Sequence, residues 1–427
     1  MMTWVRLLFI LLLCVLSSAV LQAREVTELD ELQLPSVEKK AWRFKEFPVL
    51  AWWPPPGTAT IEDFRAYKEA GFTIYPANPD IGFEQSIKFA DEVELPIVVW
   101  RKYQGFASTP QYQLIFPKDN PNIVGWITSD EPFGMHRIVE EITKVNTLMR
   151  EDPSRWVFFN LLPPSDPQNN PGTKEIIEAA VRSGMPVLSY DNYVIYDDGH
   201  DNTEQHFNNL EILRRASVKY DVPFWAFALT LKHLHYRRPS ESDLRWKQYT
   251  NLAYGAKGLW YFCYWGPTNW ENWDKVAIVD PANGRKTQLY EYVKKLNHAV
   301  LAMSDILLGL TSIDVVHTNP PKGQRPFKAD QYWISNISAK DALVGFFQDS
   351  ADTSYAMIVN KQHGMNRSAE ETADTIELTF APEVSSVVAV NWLDGKPGHI
   401  TVKKRKASLR ILGGTGVLLK ANILQDN

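Results

Sequence analysis

The stretch Ile123-Val-Gly-Trp-Ile-Thr-Ser-Asp-Glu-Pro132 governs the reading of the whole chain. Its first half, with Ile123, Val124, Trp126 and Ile127, has the make-up of a buried strand, and it breaks into Ser129, Asp130, Glu131 and Pro132. Pro132 has no N–H to give to a central ladder, so the strand ends here with the carboxylates at its C-terminal edge. Two adjacent carboxylates at the mouth of a buried strand are costly to hold unless something pairs or uses them. A purely structural alternative has Asp130 capping the next helix and Glu131 in a salt bridge.

Working outward, short apolar runs alternate with helical stretches from Phe47 onward, the pattern of repeated βα units on a parallel sheet. Strands are expected at 48–53, 72–76, 95–100, 123–131, 156–161, 186–193, 223–230 and 258–265. Helices are expected at 61–70, 83–93, 135–149, 174–182, 204–220, 242–256 and 288–303. Ile138, Ile142, Val145 and Met149 recur at helical spacing, and Gly71 and Gly184 sit where helix C-caps belong. Eight such units within about 260 residues match one (β/α)8 TIM barrel. A doubly wound open sheet is the alternative, but no glycine-rich phosphate turn follows the first strand. Beyond residue 305 the helical period fades, and apolar runs at 342–347, 355–359, 375–380, 386–390 and 408–412 read as strands of an appended β-sandwich. The expected organisation is a signal peptide over 1–23, a lead-in over 24–46, the barrel over 47–304 and the sandwich over 305–427.

The N-terminus reads as an address. Arg6 precedes the apolar run Leu7 to Leu16, then small residues and a cleavage point near Ala23, as in a secretory signal peptide. The run is shorter than the roughly 20 residues a spanning helix needs, so the mature protein is expected to be secreted or periplasmic, without stable membrane insertion. Only Cys14 and Cys263 occur, which leaves no disulfide after cleavage. Forty-five basic and 50 acidic residues, spread without long runs for a net −5, argue against nucleic acid as a partner. The sequence is silent on oligomeric state. Its 15 Trp, 17 Tyr and 20 Phe are the compositional departure, and several fall at expected strand ends.

A barrel gathers its C-terminal strand ends around one pocket. Those ends are Trp52 and Trp53, Tyr75, Trp100 with Arg101, Asp130 with Glu131, and Asn160. Strands six to eight add Tyr190, Asp191, Asn192 and Tyr193, then Thr230 with nearby His233 and His235, then Tyr264 and Trp265. Rings, amides and a few carboxylates suit a neutral, hydroxyl-rich ligand. No cofactor fingerprint appears, and the two-residue spacing of His233 and His235 lacks a third metal ligand.

The barrel, the secretion signal, the acidic-Glu-Pro tripeptide Asp130-Glu131-Pro132 and the C-terminal sandwich together resemble secreted glycoside hydrolases of the clan A type, including the β-galactosidase-like branch. Gly413-Gly-Thr-Gly-Val-Leu-Leu-Lys420 is similar to the last hairpin of sandwiches appended to such barrels. The resemblance implies that Glu131 is the acid/base, while Asp130 departs from the asparagine common at that place. It also implies a nucleophilic Glu on strand seven, yet Trp225-Ala-Phe-Ala-Leu-Thr-Leu231 carries no carboxylate, and Glu241 lies ten residues on. Asp191 on strand six is the best partner. Glycoside cleavage needs one carboxyl to protonate the leaving oxygen and another to serve as nucleophile or base. Glu131, beside Asp130 and among rings, is expected to have a raised pKa. The expected site is therefore Glu131 and Asp191 as catalytic pair, with Asp130, Trp53, Arg101, Asn160, Tyr190, Tyr193, His233, Tyr264 and Trp265 binding a carbohydrate. A carbohydrate-binding protein on a degenerate barrel is the reading from another class, with a barrel hydrolase acting on some other linkage behind it.

Overall fold

A computed structural model of the protein describes residues 29, 32–37, 44–78, 82–100, 120–164, 173–267, 270–390 and 395–424. The expected signal peptide, Arg101 and Cys14 lie outside these residues.

Eight parallel strands form one sheet: β1 (Val49–Trp52), β2 (Tyr75–Ala77), β3 (Ile97–Trp100), β4 (Ile123–Asp130), β5 (Trp156–Leu161), β6 (Leu188–Tyr190), β7 (Phe224–Leu229) and β8 (Leu259–Phe262). Their order is β1-β8-β7-β6-β5-β4-β3-β2, and Thr73 bridges the seam just ahead of β2. Its N–H donates to Val49 O at 2.9 Å, and its hydroxyl accepts from Val49 N at 2.9 Å. Helices α1 (Ile61–Glu69), α2 (Phe83–Glu92), α3 (Met135–Glu151), α4 (Thr173–Arg182), α5 (Thr203–Tyr220), α6 (Glu241–Ala253) and α7 (Gln288–Ala302) alternate with them. This is the TIM barrel read from the alternating pattern.

The barrel interior is filled with rings. Trp52 meets Trp100 at 4.2 Å and Trp260 at 5.4 Å between centroids, and Phe227 stacks on Trp260 at 5.0 Å. At the N-terminal end, Phe44 of the lead-in closes on Trp156 and Trp225 at 5.2 and 5.4 Å. Such bulk requires two glycines. A Cβ on Gly258 would stand 2.4 Å from the Trp225 ring, and one on Gly125 would stand 2.7 Å from the Trp156 carbonyl. Trp52 and Tyr75, expected at the pocket, are core instead. Tyr75 packs on Phe64 and donates to Pro55 O at 2.8 Å.

Strands six and eight are shorter than their apolar runs, ending at Tyr190 and Phe262, while the backbone of Tyr264 and Trp265 still bonds to Trp52 O and Trp53 O. A hairpin that the apolar pattern does not announce, β9 (Val279–Asp280) and β10 (Arg285–Lys286), sits before α7. Short helix α8 (Ser304–Gly309) then leads into nine strands: β11 (Thr311–His317), β12 (Ile334–Ser338), β13 (Ala342–Gln348), β14 (Ser354–Asn360), β15 (Asp374–Phe380), β16 (Val384–Val390), β17 (Pro397–His399), β18 (Lys406–Ile411) and β19 (Gly416–Ile423). They form a six-stranded antiparallel sheet, β11-β13-β14-β19-β16-β17, and a three-stranded sheet, β12-β15-β18. Val344, Phe346, Ile358, Ile376, Leu378 and Leu419 share one core between the two sheets. The glycine stretch at 413–420 is not a hairpin: β18 pairs with β15, while β19 pairs with β14 and β16 in the other sheet.

Helix α6 departs from its expected amphipathic character. It lies between the barrel and the large sheet, and its polar Gln248, Thr250 and Asn251 are as buried as its apolar residues. They are tied down locally: Gln248 Nε2 donates to Trp260 O, Asn251 to Gln248, and Thr250 to Trp246 O. From the β-domain, His363 reaches Asp243 Oδ1 at 2.7 Å and stacks on Trp246 at 4.2 Å. Gly345 of β13 packs so closely that a Cβ would stand 2.0 Å from Ala253 O. Among the described residues no helix is long and apolar enough to cross a membrane. Gly345→Val forces this seam apart. We expect the thermal midpoint to fall by about 3–10 °C, with barrel tryptophan fluorescence and β-sheet ellipticity lost in the same transition.

Candidate active site

The carboxylates at the end of β4 should point to opposite faces if the strand stayed regular. Two local departures turn both toward the mouth. The pairing of β4 with β5 shifts register between Ile127 and Asp130, and Glu131 takes a left-handed φ of +44°. A non-glycine residue held there stores strain, which persists when surrounding contacts over-determine it. Here Glu131 N–H donates to Asn160 O at 3.0 Å.

Asn160 is the hub. It stands level with Asp130 on one side and Ser189 on the other. Its Nδ2 donates to Asp130 Oδ1 at 3.1 Å and to Asp191 Oδ1 at 3.0 Å, and its Oδ1 accepts from Ser189 Oγ at 2.8 Å. The buried amide thus uses both donors and its acceptor. Asp191, one residue past β6, also accepts hydrogen bonds from the Glu131 carboxyl, the Tyr193 hydroxyl and its own backbone amide. Three carboxyl groups from two strand ends therefore belong to one network.

Their electrostatics follow. Glu131 is pushed up to about 9, first by loss of hydration in the surrounding protein and then by the charge of Asp191. Asp130 is pushed up to about 7 by the same two causes, with the Asn160 amide opposing. Both keep solvent-exposed surface at the cleft. Water therefore screens part of the desolvation, and mutual repulsion is the cause that survives. Burial raises Asp191 too, but four hydrogen bonds to it favour its charged form. At neutral pH Glu131 is therefore protonated and placed to donate to the Asp191 carboxyl.

Aromatic rings line the mouth beside them. Trp53, also at positive φ (+46°), leaves the core face that Trp52 occupies and packs with Phe262, Trp270 and Trp273 at 5.2, 5.0 and 6.3 Å. His233 is buried, its pKa lowered by that burial, and it lies 4.3 Å from Trp273, 5.2 Å from Tyr236 and 5.6 Å from Tyr193.

Of the expected site residues, the structure gathers Asp130, Glu131, Asn160, Asp191 and Tyr193 into one hydrogen-bond network, with His233 and Trp53 in the adjoining aromatic wall. Tyr190 alternates with Ser189 and Asp191, so it faces the helix layer, where it is 1% exposed. Tyr264 likewise packs between Tyr67 and Phe72 at 4.9 and 5.4 Å. Both placements correct the reading of these tyrosines as ligand-facing. Trp265 is half-buried, and its N–H continues the ladder to Trp53 O at 2.8 Å. His235 is exposed while His233 is buried, and Glu241 is engaged by Arg245 and the Ala369 N–H. Among the described residues no group of three His, Cys, Asp or Glu is arranged to hold a metal. Ser189, Tyr236, Trp270 and Trp273 were not singled out from the sequence. The signal for the last two was two tryptophans three apart in the long loop after strand eight.

No known protein family matches the chain, and no curated protein matches it. Solved structures do. A putative α-galactosidase from Bacteroides fragilis superposes with a TM-score of 0.50 at 10% identity, over 90% of this chain and 81% of that one. An Anoxybacillus α-amylase (TM-score 0.46, 11% identity, 88% of this chain and 92% of that one) and a glucosidase from Croceicoccus marinus (0.45, 11%, 92% and 98%) are similar over comparable spans. The α-galactosidase superposition agrees with a barrel followed by a β-domain, and at this identity the likeness is one of fold alone.

A carboxyl raised in the folded state binds its proton more tightly folded than unfolded. Ionising Glu131 between the unfolded value near 4.3 and its folded value of about 9 thus lowers stability as pH rises. Glu131→Gln is expected to melt about 1–5 °C above wild type at pH 8 and level with it at pH 4. Calorimetry at the two pH values checks this, and an unchanged gap would show that Glu131 titrates normally.

Proposed function

We propose that the protein is a glycoside hydrolase in which Glu131 and Asp191 form the catalytic pair. The observation that carries this reading is the single hydrogen-bond network joining Glu131, Asp191 and Asp130 at the C-terminal mouth of a barrel. Glu131, protonated at neutral pH and half free at the cleft, gives its proton to the leaving glycosidic oxygen as the C–O bond breaks. Asp191, oriented by Tyr193, Asn160 and its own amide, supplies the carboxylate at the anomeric carbon.

The two carboxyls are in hydrogen-bond contact, and Glu131 is the exposed one of the pair. An inverting enzyme leaves about 6.5–9.5 Å between its carboxyls for a water, whereas a retaining one needs only about 5 Å. The compact arrangement favours direct attack by Asp191. A glycosyl ester then forms, and water cleaves it with Glu131, now anionic, taking the proton. Asp130, held by Asn160, faces the same space and is suited to accept a hydrogen bond from a sugar hydroxyl. The secretory N-terminus expected from the sequence supports an activity outside the cytoplasm.

Strand β7 carries no carboxylate, and that favours the second reading, a carbohydrate-binding barrel without turnover. The test is hydrolysis of a panel of aryl glycosides and plant and microbial polysaccharides by the mature protein. Glu131→Gln and Asp191→Asn are each expected to lose about 10³-fold or more in kcat, and Asp130→Asn about 10–100-fold in kcat/KM. Product of retained anomeric configuration assigns Asp191 as nucleophile. Wild type that cleaves nothing yet is retained on a glycan array establishes the binding reading.

A further inference from the structure

Only once does the chain place four basic residues in succession, Lys403-Lys-Arg-Lys406, and it does so in a protein of net charge −5. They form a two-residue hairpin turn that opens β18. Lys403 and Lys406 are bridge partners, each N–H donating to the other's carbonyl at 2.9 Å. Between them Lys404 and Arg405 take left-handed φ values of +48° and +62°. Two successive positive φ values define a type I′ turn, which asparagine-glycine fits and long side chains do not. The turn is pinned to the end of β15, because Phe380 N–H donates to Arg405 O at 2.8 Å. All four basic side chains are exposed, and among the described residues none makes an ion pair. Arg410, further along β18, is paired with Glu370.

Neither solvation nor edge protection accounts for this tip. Charges that guard an open sheet edge belong on the strand, which asks for nothing at the two left-handed turn positions. Four like charges within one turn lie inside the screening length of about 8 Å and repel one another. The chain thus keeps backbone strain and charge repulsion together at one exposed point, and strain held against the local preference of the sequence points to use. The six-stranded sheet is the one that packs on α6, through β13, β14 and β19, so the tip belongs to the outer layer of the sandwich. The chemistry that answers it is a polyanion. The turn has no aromatic ring to stack on a base. Val402, 40% exposed, is the apolar side chain beside it, too little to insert into a bilayer. A two-residue tip is also narrow and convex, so a flat membrane meets few headgroups there. A linear acidic glycan can bend around it, with the Arg405 guanidinium taking a carboxylate or sulfate in its fork.

We propose that the Lys403–Lys406 hairpin docks an acidic polysaccharide, one with carboxylate or sulfate groups along its chain, and so anchors the protein through its β-domain independently of the barrel mouth. The experiment runs the mature full chain on native gels containing alginate, polygalacturonate or heparin, with dextran as the neutral control, at about 50 and 200 mM salt. Retardation by at least one acidic polymer is expected at the lower salt. Its apparent affinity is expected to be about 10–100-fold weaker at the higher salt, as counterion release requires. Lys404→Asn combined with Arg405→Gly is expected to cut that affinity about tenfold or more. The same double variant is expected to melt level with wild type or about 1–4 °C above it, because asparagine-glycine relieves the turn. Loss of binding in a protein at least as stable as wild type is not misfolding. Glu131→Gln is expected to be retarded as wild type is, which separates this site from the catalytic one and leaves it standing even if the protein cleaves nothing. No retardation by any acidic polymer at the lower salt overturns the inference, as does equal retardation by dextran or unchanged retardation of the double variant. Tighter capture by phosphatidylglycerol vesicles or duplex DNA in co-sedimentation overturns the assignment to a polysaccharide.

Discussion

One amide side chain holds the site together. Asn160 gives one N–H to Asp130 and one to Asp191, and its oxygen is fixed by Ser189. Without such a bridge, carboxylates from β4 and β6 would repel one another outward into solvent. With it, both are drawn to the same level above β5, within reach of Glu131. The neutral amide is what makes this possible: it donates to two anions without cancelling either charge. Each carboxyl keeps a raised pKa, where a lysine or arginine in place of the amide would form an ion pair with it.

The geometry around that amide depends on departures from regular strand structure. The register shift in β4 and the left-handed backbone at Glu131 place two successive carboxylates on one side, and Trp53 does the same for a ring at the end of β1. Such conformations need a rigid surround. The barrel interior supplies it with Trp52, Trp100, Phe227 and Trp260 beneath the site.

The β-domain adds a second brace. Arg237, between the aromatic loop after β7 and helix α6, donates to Tyr196 O at 3.1 Å, to Asp201 at 2.5 Å and to Asp243 at 2.9 Å, while His363 of the β-domain holds Asp243 from the other side. The pairs draw the Asp243 carboxyl down to about 2 against the burial that would raise it. The loops that carry Tyr196 and Tyr236 are thereby tied through Asp243 to α6, a helix most of whose residues are buried.

Much of the architecture was legible along the chain. Alternating apolar runs and amphipathic helices specify a parallel barrel, because each βα unit buries a strand on both faces and a helix on one, and Trp156–Leu161 forms a strand with the bounds its apolar run announces. Asp130, Glu131 and Asp191 were likewise visible as carboxylates where strands end. What the sequence could not carry was direction. Tyr190 and Tyr264 look like Tyr193 on paper, but alternation and packing turn the first two into the helix layer and only the third toward Asp191. Nor does any local pattern reveal that Asn160 touches residues thirty positions away on either side, or that α6 is covered by a sheet more than ninety residues later in the chain. Hydrophobic periodicity is a local property, whereas convergence of side chains on one point is set by strand register and by two strained backbone turns, and those exist only once the barrel has closed.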